Sequence, residues 1–328
     1  MKKISVLVTG VGAIIGYGIV QCLNKCKYDV NIIGIDIYDD AIGREWCDIF
    51  IKGKLTSDPL FIQFVSDIIQ KNKIDLVIPG IEQDLEIFIK NLKILKDNTN
   101  AEFVLNNIDM FEILNDKLKT YRFLEEHNIT NIPSIIETNI DYEKVLECFG
   151  VPFILKKRKS YASKGVVRIY DKDDYIYWKN KFDNQCIIQK LVGEKGDEFT
   201  TSIFGYGDGT FNNLIILKRE LSGEGATAKA EVINDEAIED YIAQLCKICK
   251  PLGPTNIQLI KDGGKILLLE VNPRISSSTS IREKFGLNEA EMCIEYYILK
   301  QKVKPREIKS GKARRFIEDF VEYDCNNC

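Results

Sequence analysis

Short apolar segments alternate with helix-like segments over the first 110 residues, and this alternation is the strongest constraint on the fold. The successive segments are a strand over residues 4–9, a helix that ends near Asn24, a strand over Val30–Asp36, a helix over Phe61–Lys71 and a strand over Ile74–Pro79. Strands separated by helices pair side by side in the same direction. We therefore predict a parallel, Rossmann-like sheet domain over residues 1–110.

The chain after residue 110 follows a different pattern. We predict one helix over residues 110–127, with an internal start signal at Asn115-Asp116, and then strands that are mostly joined by turns. The predicted strands are Pro152–Lys156, Val166–Tyr170, Ile187–Val192, Phe199–Phe204, Leu214–Lys218, Thr255–Lys261 and Lys265–Val271, and the later helices are Asp235–Leu252 and Ala290–Lys300. This second part is therefore α+β and mostly antiparallel, whereas the first part is α/β.

Composition excludes several classes of function. The net charge is −4, so no basic surplus indicates nucleic acid. No apolar run reaches the roughly 20 residues that span a bilayer, so we expect no membrane association. The short apolar run after Met1 enters the glycine-rich turn without a signal-peptide cleavage site, which predicts a cytoplasmic protein.

Cysteine and histidine usage narrows the chemistry further. The ten cysteines are scattered, and we expect most of them to be reduced thiols in the core. Two separate pairs, Cys246 with Cys249 and Cys325 with Cys328, do not supply four converging zinc ligands. The single histidine, His127, lies near a predicted helix end. Any catalysis must therefore proceed without a histidine base.

The glycine-rich turn permits two interpretations. Its spacing from Gly10 to Gly16 is G-x-G-x-x-x-G, one residue longer than the dinucleotide-binding fingerprint. One interpretation is a dinucleotide site with Asp36 on the ribose. The other is a tight strand-to-helix turn whose helix N-terminus holds a small anion.

A carboxylate, an amide and a guanidinium follow the apolar run Ile266–Leu269. Alternate side chains of a strand share a face, so Glu270, Asn272 and Arg274 are expected to point the same way. Two oxygen donors suit Mg²⁺, and an arginine beside them suits a phosphate. Gln258 lies across the Asp262-Gly263-Gly264 turn, where counting places it opposite Glu270 as a further metal ligand.

Two lysines precede this motif. Lys117 opens the second part of the 110–127 segment, and Lys156 ends a short strand before a polar loop that reaches Gly165. Such a lysine can reach phosphates while the loop covers them with backbone N–H groups. The strand Ile187–Val192 offers an exposed backbone edge for adenine, and Glu198 follows a turn where a carboxylate can accept ribose hydroxyls. Lys218 and Arg219 end another strand and are candidates for phosphate or a substrate carboxylate.

This order of motifs resembles the ATP-grasp superfamily, and most nearly the synthetase halves of the carbamoyl phosphate synthetase large subunit and stand-alone carboxylate–amine ligases. The motifs that carry the resemblance are Asn115-Asp116-Lys117, Pro152–Lys156, Gln189–Gly193, Glu198, Asn256–Gln258 and Glu270–Arg274. The resemblance implies a Rossmann-like domain followed by a two-lobed ATP-grasp fold. Its parts are a domain over 1–110, a linker helix with a small lid subdomain over 111–190, and a large subdomain with a C-terminal tail over 191–328.

The resemblance also implies a role for each candidate residue. Nucleotide contacts fall on Lys117, Lys156, Ser163, Gly165, Gln189, Lys190, Leu191, Val192 and Glu198. Metal ligands are Gln258, Glu270 and Asn272, for two Mg²⁺ ions that Mn²⁺ can replace. Catalytic contacts are Arg274, Lys156, Lys218 and Arg219. The sequence departs from the family at Lys157, where a proline is usual, and in a phosphate loop that retains only Gly165.

The implied reaction activates a carboxylate with ATP and joins it to an amine, with ADP and phosphate released. Small-molecule acid and amine substrates, a homodimer and an ammonia-supplying partner are expected from the resemblance. Two alternatives stay open. One is a phosphotransferase with the same fold, and the other is a nucleotide sensor without catalysis that uses the Gly10–Gly16 turn.

Overall fold

The computed structural model describes residues 3–137, 139–159, 165–193, 196–223 and 225–322. Three sheets organise this part of the chain, one parallel and two antiparallel. The mixed α/β and α+β class predicted from the sequence is therefore confirmed. The domain boundaries at residues 110 and 190 stay predictions.

The N-terminal sheet is parallel and five-stranded. Its elements are β1 (Ile4–Thr9), α1 (Ile14–Asn24), β2 (Val30–Asp36), β3 (Ile49–Lys52), α2 (Phe61–Asn72), β4 (Leu76–Ile78), α3 (Glu82–Lys90), α4 (Leu92–Asn98) and β5 (Glu102–Phe103), with a 3₁₀ turn at Ile42–Trp46. The strand order is β3-β2-β1-β4-β5, so the strands after β1 are added first on one side of it and then, from β4 onward, on the other. Loops that follow β1 and β4 therefore flank the crevice where open α/β sheets bind ligands.

The glycine-rich turn after β1 is sterically tight. Gly10 has φ +61°, in the left-handed region, and a Cβ on Gly16 would lie 2.0 Å from the Gly10 carbonyl oxygen. The Asp36 carboxylate accepts hydrogen bonds from the backbone N–H groups of Gly12 (2.8 Å) and Tyr38 (3.1 Å). Asp36 thus helps to shape the turn, in keeping with the strand-to-helix interpretation.

Two helices connect this sheet to the lid. They are α5 (Ile108–Leu114) and α6 (Lys117–Glu126). The prediction of one helix over 110–127 is wrong because Asp116 adopts an extended backbone and caps α6. Its carboxylate accepts from the N–H groups of Leu118 (3.0 Å) and Lys119 (3.4 Å).

The lid contains a four-stranded antiparallel sheet with two helices. Its elements are β6 (Ser134–Ile135), α7 (Tyr142–Phe149), β7 (Phe153–Lys157), β8 (Val166–Ile169), α8 (Lys172–Lys181) and β9 (Cys186–Lys190), in the strand order β6-β9-β7-β8. Ring contacts of Phe153 with Tyr142 and Tyr175 hold both helices against the sheet.

The large sheet is antiparallel and six-stranded. Its elements are β10 (Glu198–Tyr206), β11 (Phe211–Leu221), β12 (Thr227–Ile233), α9 (Glu236–Cys249), β13 (Leu252–Asp262), β14 (Lys265–Asn272), α10 (Thr279–Lys284), α11 (Glu289–Cys293) and β15 (Lys312–Arg314). The order is β14-β13-β10-β11-β12-β15. The helix predicted over Ala290–Lys300 is instead the short α11 followed by one π-helical segment, Ile294–Ile298.

One hydrophobic core joins the N-terminal sheet to the large sheet. It combines Val8 and Ile19 of β1 and α1 with Leu217 of β11 and Ile281 of α10. A second cluster packs α9 on the other face of the large sheet through Ile242 and Leu259. Because the first core belongs to both parts, the crevice beside β1 is fixed relative to the β13–β14 hairpin.

Neither a membrane-spanning helix nor a disulfide bond occurs within the described ranges. No helix there is long and apolar enough to cross a membrane. The eight cysteines in those ranges are all free of disulfides, and five of them are buried. Cys325 and Cys328 lie outside the described residues.

A fully buried ion pair lies beneath the hairpin. The Arg282 guanidinium donates to Glu289 (3.2 Å) and to Asn256 Oδ1 (2.6 Å), and both charged side chains have 0% exposure. Ser202 donates its hydroxyl to the same Glu289 oxygen at 2.5 Å. Each charge therefore depends on the other for compensation in a low-dielectric interior.

We predict that Arg282→Met lowers the free energy of unfolding by about 3–5 kcal/mol, because the Glu289 carboxylate is left buried without its counter-charge. The double variant Arg282→Met/Glu289→Gln should recover part of this loss, since glutamine still accepts from Ser202. Urea unfolding of both variants checks the expectation. A loss below about 1 kcal/mol for Arg282→Met, the range of exposed pairs, would contradict it.

Candidate active site

The β13–β14 hairpin places the predicted metal ligands on one face. Gln258 pairs with Glu270 and Asn256 pairs with Asn272, with a register shift just after Gln258. Directly paired residues share a face of the sheet, and so do residues two apart. The register confirms that Gln258 lies opposite Glu270 and brings Asn272 to the same side.

The three predicted metal ligands on this face are one carboxylate and two amides. Gln258 Oε1 accepts from Arg219 Nη2 at 2.7 Å, and Asn272 Oδ1 accepts from Arg274 Nη2 at 3.1 Å. No group of three histidine, cysteine, aspartate or glutamate side chains suited to a metal occurs among the residues that the structure describes. The set nevertheless fits Mg²⁺, which commonly takes one or two carboxylates and completes its shell with substrate phosphates and water.

Arg219 joins the donor set to Glu198. Its buried guanidinium donates to Glu198 Oε1 from Nε at 3.0 Å and also from Nη2, while Nη2 reaches Gln258. Glu198 is thus engaged by an arginine in this structure. A ribose at Glu198 would have to share the carboxylate with Arg219 or displace it.

The prediction that Lys218 belongs to this site is not supported by the fold. Lys218 pairs with Phe199, on the face of the sheet that α9 covers, and its side chain is exposed. Neighbouring residues of a strand point to opposite faces, so Arg219 and Lys218 cannot both face Gln258.

Two lysines from different elements reach one cavity together with Glu270. Lys117 begins α6, and Lys156 lies on β7. The cavity lies between the lid sheet and the hairpin, and its lining is Leu114, Lys117, Thr120, Tyr121, Leu124, Asn131, Ile132, Lys156, Ile187, Gln189, Leu268, Leu269, Glu270 and Val271. The arrangement supplies two cations and a carboxylate, which suits a metal-bound polyphosphate.

Burial lowers the pKa of both lysines, and the charge of Lys117 lowers that of Lys156 further. Burial first, and the positive charge of Lys117 second, lower the pKa of Lys156 to about 8, although Glu270 and Glu198 oppose the change. Burial also lowers the pKa of Lys117, again opposed by Glu270. An anion that binds between two such lysines favours their protonated, charged forms.

The strand β9 does not offer the free edge that was predicted for adenine. β9 pairs with β7 on one side and with β6 on the other, where Ser134 faces Gln189, and the Lys190 N–H donates to the Pro133 carbonyl at 3.0 Å. Only Leu191 and Val192 lie beyond the ladder. A backbone contact to a base is therefore restricted to these two residues.

Gln189 lines the cavity with a fixed amide. Its Nε2 donates to Ser134 Oγ at 2.8 Å, and its buried Oε1 has no hydrogen-bond partner within the described ranges. The Gly165 carbonyl accepts from the Lys157 N–H at 2.7 Å. Ser163 lies outside the described residues.

Two further polar residues contact the candidate site, one from the N-terminal domain and one from β13. Glu82, in the first turn of α3, accepts from Arg274 Nη2 at 3.1 Å, which joins the crevice beside β4 to the hairpin. Asn256 lies buried on the same face of the hairpin as Gln258, where its Oδ1 accepts from Thr200 Oγ1 at 2.8 Å. Continuing the hairpin register by two residues from the Gln258–Glu270 pair would have found Asn256.

Comparisons with known proteins agree with this geometry. A family model described as the ATP-grasp domain matches residues 114–278. The carbamoyl phosphate synthase large chain of Clostridium acetobutylicum is 24% identical over 260 residues, which cover 74% of this chain and 24% of that protein. A D-alanine–D-alanine ligase of Bacillus anthracis is 26% identical over 172 residues, which cover 49% of this chain and 54% of the ligase.

Solved structures show the same fold. N5-carboxyaminoimidazole synthetase from Staphylococcus aureus, complexed with ADP, has a TM-score of 0.72 at 19% identity and covers 94% of this chain and 81% of its own. Biotin carboxylase from Campylobacter jejuni has a TM-score of 0.73 at 14% identity and covers 95% of this chain and 74% of its own. This chain spans about a quarter of the carbamoyl phosphate synthase large chains that it matches.

We predict that binding of Mg-ATP takes up protons near pH 8.5. The low pKa of Lys156, about 8, leaves it partly neutral in the free protein, and nearby phosphates raise that pKa toward its ordinary value of about 10.4. Protons are therefore bound in the pH window between the two values. Calorimetric titrations in buffers of different ionisation enthalpy measure this uptake, and Lys156→Met should remove most of it. Proton release by the unaltered protein would contradict the assignment.

Proposed function

The chain belongs to the ATP-grasp family, and from this premise we propose that it is an ATP-dependent carboxylate–amine ligase. The observation that carries the proposal is the meeting of Lys117, Lys156 and Glu270 on one cavity, with Gln258 directly across the hairpin from Glu270. Cations, a carboxylate and amide oxygens from separate elements converge where a nucleotide polyphosphate and its metal would lie.

The proposed reaction has two steps. An oxygen of the acid substrate's carboxylate attacks the γ-phosphorus of ATP, and the bond to the β–γ bridging oxygen breaks, giving an acyl phosphate and ADP. The amine nitrogen then attacks the acyl carbon, phosphate leaves, and the amine loses a proton to form the amide. Both steps depend on positioning and charge neutralisation, which do not require a histidine.

The chain's own residues divide this work. Lys117 and Lys156 would hold the phosphates, and Glu270, Gln258 and Asn272 would hold the two Mg²⁺ ions. Bound Mg²⁺, or Mn²⁺ in its place, neutralises charge on the phosphates. Arg274 lies beside Asn272 and donates to it, so its guanidinium can stabilise the transferring phosphoryl group.

The adenosine end of the nucleotide has its own residues. Gln189, with Leu191 and Val192 past the end of β9, would contact adenine. Lys190, the last residue of β9, would lie beside the base, and the Glu198 carboxylate would accept hydrogen bonds from the ribose hydroxyls. Arg219, already bound to Glu198 and Gln258, is placed to contact a substrate carboxylate or a phosphate. Lys218 is omitted because it faces away.

The proposed substrates are a small-molecule acid and an amine. They would enter the crevice beside β1 and β4, where Glu82 meets Arg274. We extend the proposal to a cytoplasmic enzyme and to a homodimer, and ammonia as the amine would call for a partner that supplies it. The relatives named above support the class of reaction, not the identity of either substrate.

We predict that Glu270→Gln lowers ADP formation by at least about 100-fold, because the only carboxylate of the ligand set is lost. The circular dichroism spectrum and melting temperature should stay close to those of the unaltered protein. Glu239→Gln, an exposed change on α9, is the matched control and should turn over normally. Near-normal turnover by Glu270→Gln would refute the metal assignment.

ADP release measured against a panel of carboxylates, with and without added amines, tests the reaction class. We expect release with the correct acid to depend on an amine, because the acyl phosphate turns over only when a nucleophile consumes it. Release that never requires an amine, with a phosphorylated product accumulating, would replace the ligase proposal by a phosphotransferase.

A further inference from the structure

Two residues close in sequence to the cavity lysines, Asp116 and Arg158, form an ion pair. Asp116 precedes Lys117, and Arg158 follows Lys156 by two. Asp116 Oδ1 accepts from Arg158 Nε at 3.1 Å, and Oδ2 accepts from Nη2 at 2.7 Å. This is the bidentate fork geometry in which a carboxylate and a guanidinium fix each other's orientation.

Backbone contacts reinforce the pair. The Lys117 N–H donates to the Arg158 carbonyl at 3.1 Å, and the Arg158 N–H donates to the Gln185 carbonyl at 2.9 Å. Arg158 Nη1 also reaches Gln185 Oε1 at 3.2 Å. The start of α6 is thereby tied to the end of β7 and to the residue that precedes β9.

Asp116 carries two functions with one carboxylate. It caps α6 and it pairs with Arg158, and its side chain is only 3% exposed against 28% for that of Arg158. Burial alone would raise the pKa of Asp116, yet Arg158 and the capping N–H groups hold it below its ordinary value. The carboxylate is therefore charged at neutral pH and holds the arginine continuously.

The lysines that flank this pair repel each other. The charge of Lys117 acts against the protonated form of Lys156, and both side chains line one cavity. Contacts between the two chain segments must therefore offset this repulsion. The bidentate pair is such a contact, since Asp116 is adjacent to Lys117 and Arg158 is two residues from Lys156.

We propose that Asp116 and Arg158 form a positioning clamp that holds Lys117 and Lys156 in register for a nucleotide polyphosphate. The inference rests on the proposed ATP site but assigns a role to residues outside it. It also accounts for the basic run Lys156–Lys159: one member lines the cavity and another forms the clamp. By holding the lysines in place beforehand, the clamp reduces the ordering that binding would otherwise require.

The test is a double-mutant cycle on Mg-ATP affinity. Asp116→Asn removes the charge but keeps a good helix cap, and Arg158→Gln removes the fork. We expect each single variant to bind Mg-ATP about tenfold more weakly by calorimetry, and the double variant to bind no more weakly than either, because the two residues act as one unit. Glu143→Gln, which breaks the exposed Lys172–Glu143 pair in the same lid, is the matched control and should bind normally.

A second readout separates positioning from general damage to the lid. Adenosine carries no phosphate, so its affinity, followed by saturation-transfer NMR, should be unchanged in both clamp variants. Unchanged Mg-ATP affinity in both variants, additive losses in the double variant, or an equal loss of adenosine binding would each overturn the clamp alone. Failure of the unaltered protein to bind Mg-ATP would overturn the proposed function and the clamp with it.

Discussion

The register of the β13–β14 hairpin is the constraint on which the site depends. With Gln258 opposite Glu270 and Asn256 opposite Asn272, the polar side chains of both strands project from one face. A slip of one residue would turn every one of them to the opposite face, where α9 packs its apolar side chains. The register also sets a buried contact on this face, where Arg282 donates to Thr200 Oγ1 and Asn256 Oδ1.

The site is assembled from three parts of the chain with distinct physical roles. The large sheet supplies rigid oxygen donors and Arg274, the lid and linker supply the two lysines, and the N-terminal sheet supplies Glu82. A hydrophobic core shared by β1, α1, β11 and α10 fixes the first and third parts together. The lid has a separate small core, and a second small apolar cluster, in which Ile132 and Val192 pack against Leu267, joins the segments beside the lid sheet to the hairpin.

Periodicity in the sequence was enough to predict the parallel sheet, the hairpin and the opposition of Gln258 and Glu270, because these depend on local patterns and short turns. It failed where the answer depends on a distant element. β6 is two residues long and carries no detectable period, yet it covers the edge of β9 that adenine was expected to use. The sequence showed a helix start signal at Asn115-Asp116. It did not show that the backbone at Asp116 is extended and separates α5 from α6.

The error at Lys218 could have been avoided from the sequence alone. Lys218 and Arg219 are adjacent on a strand, so alternation alone excludes a shared face. The Glu82–Arg274 and Asp116–Arg158 pairs could not be predicted in the same way, since they join segments 192 and 42 residues apart. Pairings at that range are decided by how whole elements pack.

We propose that the main ligand is a metal-bound adenine nucleotide held by the lysines and the hairpin, and not a nicotinamide dinucleotide at the Gly10–Gly16 turn. Thermal denaturation with Mg-ATP and, separately, with NADH tests this proposal most directly, because a ligand stabilises the state that it binds, by about 2.7 kcal/mol at 100 times Kd. We expect a higher melting temperature with Mg-ATP, lost in Lys156→Met, and no change with NADH. Stabilisation by NADH alone would contradict it.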